Sequence, residues 1–226
     1  MSISKKRRNQ ILSFLSRVPI GSTDQFAHFF KDCSQPLKRV SQCLVELEKE
    51  KLIEGRRRRE KTKVWRLTSQ YKKQIGLKKR GRPLTLKDLD HTLAIGDMYI
   101  QLFLNGRLDY FIAEPREDVF LRGTDAKFMP DAFFVYDKKP YLLEIQRSPL
   151  SKIKWSIKWE YVQAFLQNGM EGSSFAKHLT KEPEIVVLSN QKFEDVMFGK
   201  NELNVQLHDD VFSFLRFNQP FFESIR

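Results

Sequence analysis

The chain has 226 residues, about one and a half times a typical domain of ~150 residues, so one large domain or two small ones fit its length. Hydrophobic residues make up 41% and aromatic residues 12%, with 19 Phe, which is enough apolar material for a core and excludes wholesale disorder. No apolar run approaches the ~18 residues of a membrane span, and the basic opening MSISKKRRNQ leads into an amphipathic stretch, so the sequence predicts neither a secreted nor a membrane-inserted protein. Cys33 and Cys43 form no CxxC or Cys/His ligand spacing; a reduced, cytoplasmic protein without structural zinc is the expectation. The charge is unevenly placed. Residues 1–82 carry 23 Lys+Arg against 7 Asp+Glu, and residues 83–226 carry 17 against 21, so the whole +12 excess sits in the first third. Such asymmetry is the footprint of a nucleic-acid-binding module joined to a second domain; a solvated basic surface or attraction to anionic lipid would leave the same imbalance.

In chain order, residues 7–18 set Ile11, Leu12, Leu15 and Val18 on one helical face, and Pro19 and Gly21 stop that helix. A second helix runs through Phe26, Ala27, Phe29 and Phe30, with Ser22 or Thr23 accepting from the free amides of its first turn. Pro36 opens a third, which buries Val40, Leu44 and Leu47, with Cys43 or Ile53 as a further inward position. Near its N-terminal half it leaves Lys38, Arg39, Ser41 and Gln42 as candidate groove readers. The segment GRRRREKTKVWRLT then predicts a hairpin whose tip carries Arg56, Arg57, Arg58 and Arg59 and which returns through Val64, Trp65 and Leu67. Three short helices and a basic hairpin resemble the winged helix-turn-helix, in which the third helix lies in the major groove and the wing touches the backbone. The resemblance implies that Arg56 to Arg59, with Lys61 and Lys63, hold phosphates and make binding salt-dependent. A small helical protein-interaction module is the competing reading.

Residues 69–87 are basic without an apolar period and predict a linker between a DNA-binding domain at 1–68 and a second domain at 88–226. Inside the linker, Lys79-Arg80-Gly81-Arg82-Pro83 resembles the core of an AT-hook, in which Arg80 and Arg82 would enter a narrow minor groove; an ordinary solvated linker has the same composition. From residue 88 a helix through Leu93, Ile95, Met98, Tyr99, Leu102 and Phe103 ends at Asn105-Gly106. Short β-like runs follow at 108–114, 118–123, 129–137 and 140–147, the last two joined by a turn at Asp137-Lys138-Lys139-Pro140. A long helix from Leu150 to Asn168, closed by Gly169, and an apolar strand at 184–189 complete an α/β sandwich order.

The candidate chemistry lies in the last two of those runs. Pro130-Asp131 opens one strand, and Glu144-Ile145-Gln146 follows on the next, where the period-2 pleat puts Glu144 and Gln146 on one face. Two carboxylates and an amide converging on a divalent cation are what phosphodiester hydrolysis requires, since the metal polarises the phosphate and lowers the pKa of an attacking water. Taken singly, Asp131 reads equally as a turn residue, and Glu144 as a partner of Arg147 or Lys158. Yet a Glu among Leu142, Leu143 and Ile145 is costly unless paired, protonated or metal-bound.

Pro130-Asp131 and Glu144-Ile145-Gln146 resemble the PD-(D/E)xK nuclease signature. Joined to a winged helix and a basic linker, they resemble the replication-relaxation family, whose relatives include the MobC class of plasmid relaxases. The resemblance implies an α+β fold, a winged helix-turn-helix followed by a restriction-endonuclease-like αβββαβ domain. It also implies Mg²⁺ or Mn²⁺ held by Asp131, Glu144 and the Ile145 carbonyl, with Glu114 as a further carboxylate. Gln146 departs from the signature, which has Lys there; Lys154 and Lys158 on the following helix are the candidates to supply that charge, and Lys158 with Tyr161 resembles the Lys and Tyr found after the core in relatives. His91 and Asp97 are weaker candidates, while Trp155, Trp159, His28, His178 and His208 are read as structural.

The function implied is a metal-dependent, site-specific endonuclease that nicks double-stranded DNA at an origin-like site of a bacterial plasmid or mobile element, meeting a conjugative coupling protein or accessory factors. A non-catalytic DNA-binding initiator or regulator on an inactivated nuclease fold, and a restriction-type or repair nuclease making double-strand breaks, are the alternatives.

Overall fold

The computed structural model describes residues 5–57, 63–77, 86–197 and 203–218, which divide into two compact units, 1–100 and 101–226. Both mix helix and sheet, an α+β protein. Among the described residues no helix is long and apolar enough to cross a membrane.

In the first unit, α1 (Lys5–Arg17) buries Ile11, Phe14 and Leu15, and Val18 continues the strip. Leu12, expected inward, is half-buried; Phe14 takes the place because 11, 14, 15 and 18 follow the helical period more closely. The Phe14 ring stands edge-on to Phe26 at 5.2 Å and to Tyr99 at 5.3 Å. After β1 (Gly21–Ser22), Ser22 caps α2 (Thr23–Ala27) by accepting from the Gln25 N–H, while the Gln25 side chain accepts from the Ser22 N–H at 3.0 Å. This reciprocal pair satisfies two orphan donors of the first turn. A 3₁₀ turn, His28–Phe30, leads to α3 (Pro36–Lys49), whose inward face is Val40, Cys43, Leu44 and Leu47. Burial pushes the Cys43 thiol up to about 11, which leaves it an inert core residue. β2 (Ile53–Arg57) and β3 (Lys63–Leu67) pair antiparallel, and β1 joins β3 on its other side through Gly21 and Trp65. Residues 69–74, expected in the linker, form a short helix, α4 (Ser69–Gln74), capped by the Thr68 hydroxyl. The Lys79–Pro83 motif lies outside the described residues.

The start of α5 (Leu86–Leu104) belongs with this unit, although the sequence placed residues 88 onward in the second domain. Gln25 Nε2 donates to the Leu93 carbonyl at 2.7 Å and to Asp97 Oδ1 at 2.8 Å, and Leu89 packs with Ile20 and Val64. Gly96 makes this approach possible: a Cβ there would stand 3.0 Å from both Gln25 Nε2 and Phe14 Cζ. A helix read only for its own amphipathic face does not reveal which unit that face covers.

The second unit is built on a five-stranded sheet of order β10-β9-β8-β7-β4. β4 (Leu108–Ala113), β7 (Ala132–Tyr136) and β8 (Lys139–Gln146) are antiparallel neighbours. The chain then crosses through α6 (Lys152–Ala164) to β9 (Glu184–Ser189), parallel to β8, and β10 (Val205–His208) adds in parallel beyond it. The run at 118–123 leaves this sheet, contrary to its expected place in the meander. It is β5 (Glu117–Leu121), which pairs with β6 (Thr124–Phe128) as a separate hairpin, while Ala113 of β4 pairs directly with Ala132 of β7. The burial pattern explains the difference: β7 is buried at all five positions, as a central strand must be, whereas β5 buries Glu117 and Val119 and exposes Asp118 and Phe120.

Phe133, Val135, Leu142, Ile185 and Val187 pack against Trp155 and Trp159 of α6 on one face of the sheet. On the other, Phe134, Tyr136 and Tyr141 surround Phe214 of α8 (Val211–Phe217). β7 and β8 join through Asp137 and Lys138, both with positive φ (51° and 65°), the twist-matched geometry of a two-residue hairpin.

Candidate functional site

Asp131 stands one residue before β7, held by backbone bonds on both sides. The Glu114 N–H donates to its carbonyl at 2.8 Å, and its own N–H donates to the Leu143 carbonyl at 3.0 Å. Its Oδ2 accepts the Ile145 N–H at 2.6 Å, so the carboxylate is fixed over the end of β8. Glu144 lies on the α6 face of β8, as alternation from Leu142 requires, with its side chain only 6% exposed. A carboxylate this buried needs a partner, and Lys158 of α6 provides one: its ammonium bonds Glu144 Oε2. The Lys158 side chain is 35% exposed, and its Nζ stands 5.8 Å from the centre of the Trp155 ring. Burial works against the ammonium, but the negative charges of Glu144 and Asp131 and the bond to Glu144 outweigh it. The Lys158 pKa is therefore raised and the side chain is cationic at neutral pH.

Asp131, Glu144 and Lys158 thus converge. Gln146 follows on the same strand, with Nε2 donating to the Ser148 carbonyl at 2.6 Å across the turn out of β8. Lys154 is exposed, beside Ile153 and Ile157, which are 69% and 45% exposed. Ile145 is buried and uses its N–H on Asp131. Glu114 is half-buried with φ 48°, at the end of β4. Among the described residues no three His, Cys, Asp or Glu side chains gather as metal ligands, so Glu114 does not complete a triad with Asp131 and Glu144. Two carboxylates still fit Mg²⁺ or Mn²⁺. Both offer hard oxygen donors, and Mg²⁺ commonly takes only one or two from the protein, the rest coming from water and substrate phosphate. Asp97 is instead a structural acceptor for Gln25.

Gln191 is the residue the sequence did not single out. Its Oε1 accepts from the Leu150 N–H at 3.0 Å and from Trp155 Nε1 at 3.1 Å, and its Nε2 donates to the Leu150 carbonyl at 2.8 Å. It pins the first turn of α6 and so sets where Lys158 meets β8. A lone Gln after an apolar strand carries no spacing signal, and only the fold reveals its role.

In the first unit, Lys38, Ser41, Gln42 and Val45 form an exposed face of α3 opposite its buried one, with Leu37 55% exposed at its start. Arg39 is half-buried. The acidic C-terminal half of α3 is met from α1, where Arg8 pairs with Glu50 and with Glu46. Arg56 is exposed on β2, which ends at Arg57; Arg58, Arg59 and Lys61 lie outside the described residues. Lys63 is turned across the hairpin: its Nζ is 3.0 Å from Glu48 Oε2 and 4.0 Å from the centre of the Trp65 ring. Glu48 also accepts the Gly55 N–H at 3.0 Å, so Glu48 and Lys63 join the β2–β3 hairpin to α3 in a structural contact that sequence alone did not indicate.

The chain matches no family model and no curated protein sequence. Among solved structures it is similar to one described as "Crystal structure of protein VC1899 from Vibrio cholerae", at 10% identity and a TM-score of 0.32. The match covers 93% of this chain and 55% of that one. A likeness this slight supports no inference about fold or function.

Proposed function

We propose that this chain is a metal-dependent, site-specific DNA nicking endonuclease of the relaxase-like kind, a winged helix-turn-helix joined to a restriction-endonuclease-like αβββαβ domain. The observation that carries the reading is the meeting of Asp131, Glu144 and Lys158 where two antiparallel central strands end beneath a crossover helix. The α1–β1–α2–α3–β2–β3 order of the first unit, and its concentrated positive charge, support the DNA-binding half.

Asp131 and Glu144 would hold Mg²⁺ or Mn²⁺, which when bound polarises a phosphate and lowers the pKa of an attacking water. Lys158 brings a cation to the same place, filling the role left open by Gln146, whose amide orients neighbouring groups without charge. The exposed face of α3 would read the groove while Arg56 holds phosphate. Origin-like DNA, with a coupling protein or accessory factors, would be the partner set.

A supercoiled-plasmid assay with Mg²⁺ and Mn²⁺, on DNA carrying candidate transfer or replication regions, tests this. Site-specific relaxed circles from the wild type, lost in Glu144→Ala and Asp131→Ala, are expected. Linear product would point to a double-strand nuclease, and cleavage retained in both variants would remove the proposed site.

A second reading, a DNA-binding initiator or regulator without catalysis, is favoured by the Gln146 amide being bonded to Ser148 and by Lys158 covering Glu144. Calorimetric titration of Mg²⁺ or Mn²⁺ with DNA present separates the two, because Asp131-dependent binding belongs only to the nuclease.

A further inference from the structure

We propose that Lys158 is the resident counter-ion of this site, which must leave Glu144 before a divalent cation can be held there; the inference rests on the metal-site reading above. Glu144 is buried, and its Oε2 accepts from the Lys158 ammonium. The other carboxylate is anchored: Asp131 is tied through its backbone to both neighbouring strands and through Oδ2 to the Ile145 N–H. Lys158 is the member that can move. Its side chain is 35% exposed and its Nζ lies 5.8 Å from the centre of the Trp155 ring, so it can swing its head to water without unpacking α6, whose buried residues are Trp155, Trp159, Val162 and Ala164. A dication held at Glu144 would stand at contact distance from the ammonium, and their mutual repulsion is strong in a partly buried setting.

Without metal, the ammonium therefore offsets one of the two negative charges of the site. Metal affinity falls below what two carboxylates would give alone, and arrival of the metal releases a cation beside the reacting centre. The chain has Gln at 146, where the signature has Lys, and the cation that meets Glu144 comes from α6.

The test uses Mn²⁺ alone as probe, on the full chain, by titration calorimetry and thermal unfolding. Lys158→Met is expected to bind Mn²⁺ on the order of tenfold more tightly than wild type and to gain more in Tm from it. Equal or weaker binding by Lys158→Met, with Asp131-dependent binding intact in the wild type, overturns the counter-ion role and leaves the metal-site reading standing. Absence of Mn²⁺ binding in both proteins removes that reading and this inference together. Should Lys158→Met not fold, amine acylation of the wild type followed by peptide mass spectrometry decides the matter. Modification of Lys158 is expected to rise several-fold on adding Mn²⁺ while Lys154 stays constant, and the rise is expected to vanish in Glu144→Gln; an unchanged Lys158 overturns the proposal.

Discussion

Glu144 and Lys158 form a pair whose members are destabilising apart. A buried carboxylate stripped of its partner keeps its desolvation penalty, whereas replacing both charges by apolar groups removes penalty and attraction together. In metal-free protein, Lys158→Met should lower unfolding free energy by about 1–3 kcal/mol, less than for a fully buried pair because Lys158 is a third exposed. Glu144→Leu combined with Lys158→Met should recover most of the loss; urea titrations of the three proteins check this. Lys138 is a different residue-scale case. Its φ of 65° is one that L side chains adopt at a cost, so Lys138→Gly should stabilise by about 1 kcal/mol, read from the urea midpoint at unchanged slope. The Asp137-Lys138 turn was legible in the sequence. Its strained φ was not, because Asp-Lys lacks the glycine that usually marks this geometry.

At the scale of elements, α6 ends differently from its sequence expectation. Gly169 reads as a helix stop, yet the helix passes into a π turn over Phe165–Gly169, and the left-handed glycines among the described residues are Gly76, Gly106 and Gly123. Gly169 instead lets β5 approach: a Cβ there would stand 2.8 Å from Phe165 Cδ2, 3.1 Å from Val119 Cγ1 and 3.2 Å from the Asp118 carbonyl. Asn168 fastens the same contact by bonding both the N–H and the carbonyl of Phe120, at 2.9 and 3.1 Å. Gly169→Ala should therefore destabilise by roughly 1–3 kcal/mol, measured by thermal or urea unfolding. Around α8, His208 packs edge-on to Phe214 and bonds Ser213 and Gln206 through its ring nitrogens. Burial lowers its pKa below the ordinary 6.5, against the opposing pull of Asp209 and Asp210. The unfolded chain then takes the proton first. The stabilisation is complete above pH 6.5 and is lost as pH falls below that value towards the folded pKa. Tm measured from pH 7.5 to 5 should decline less steeply in His208→Gln than in wild type.

For the whole molecule, charge is the organising fact, with every net positive charge in the first 82 residues. On the proposed function, the logarithm of DNA affinity should fall linearly with the logarithm of salt concentration. Arg56→Ala should reduce that slope by about 1. Gln42→Ala should leave the slope unchanged and relax preference among sites, measured by fluorescence anisotropy across a salt series. Lys63→Ala should act differently, loosening the wing through the lost Glu48 contact.

The sequence by itself determined the three opening helices and the hairpin after them, the inward residues of α3, the β9 span, the turn before β8 and the concentration of positive charge. These depend on local period, capping and turn chemistry, which a short window of residues contains. It also supplied Asp131, Glu144 and Lys158 as named candidates. Tertiary structure alone decided that Lys158 meets Glu144, that Lys63 is drawn to Glu48, that the 118–123 run leaves the central sheet, and that the start of α5 packs with the first unit. Each of these depends on which of several chemically equivalent faces or side chains comes within contact distance of a partner remote in sequence. Such distances are set by packing around Gln191, Gly96 and Gly169, residues that carry no periodic signal of their own.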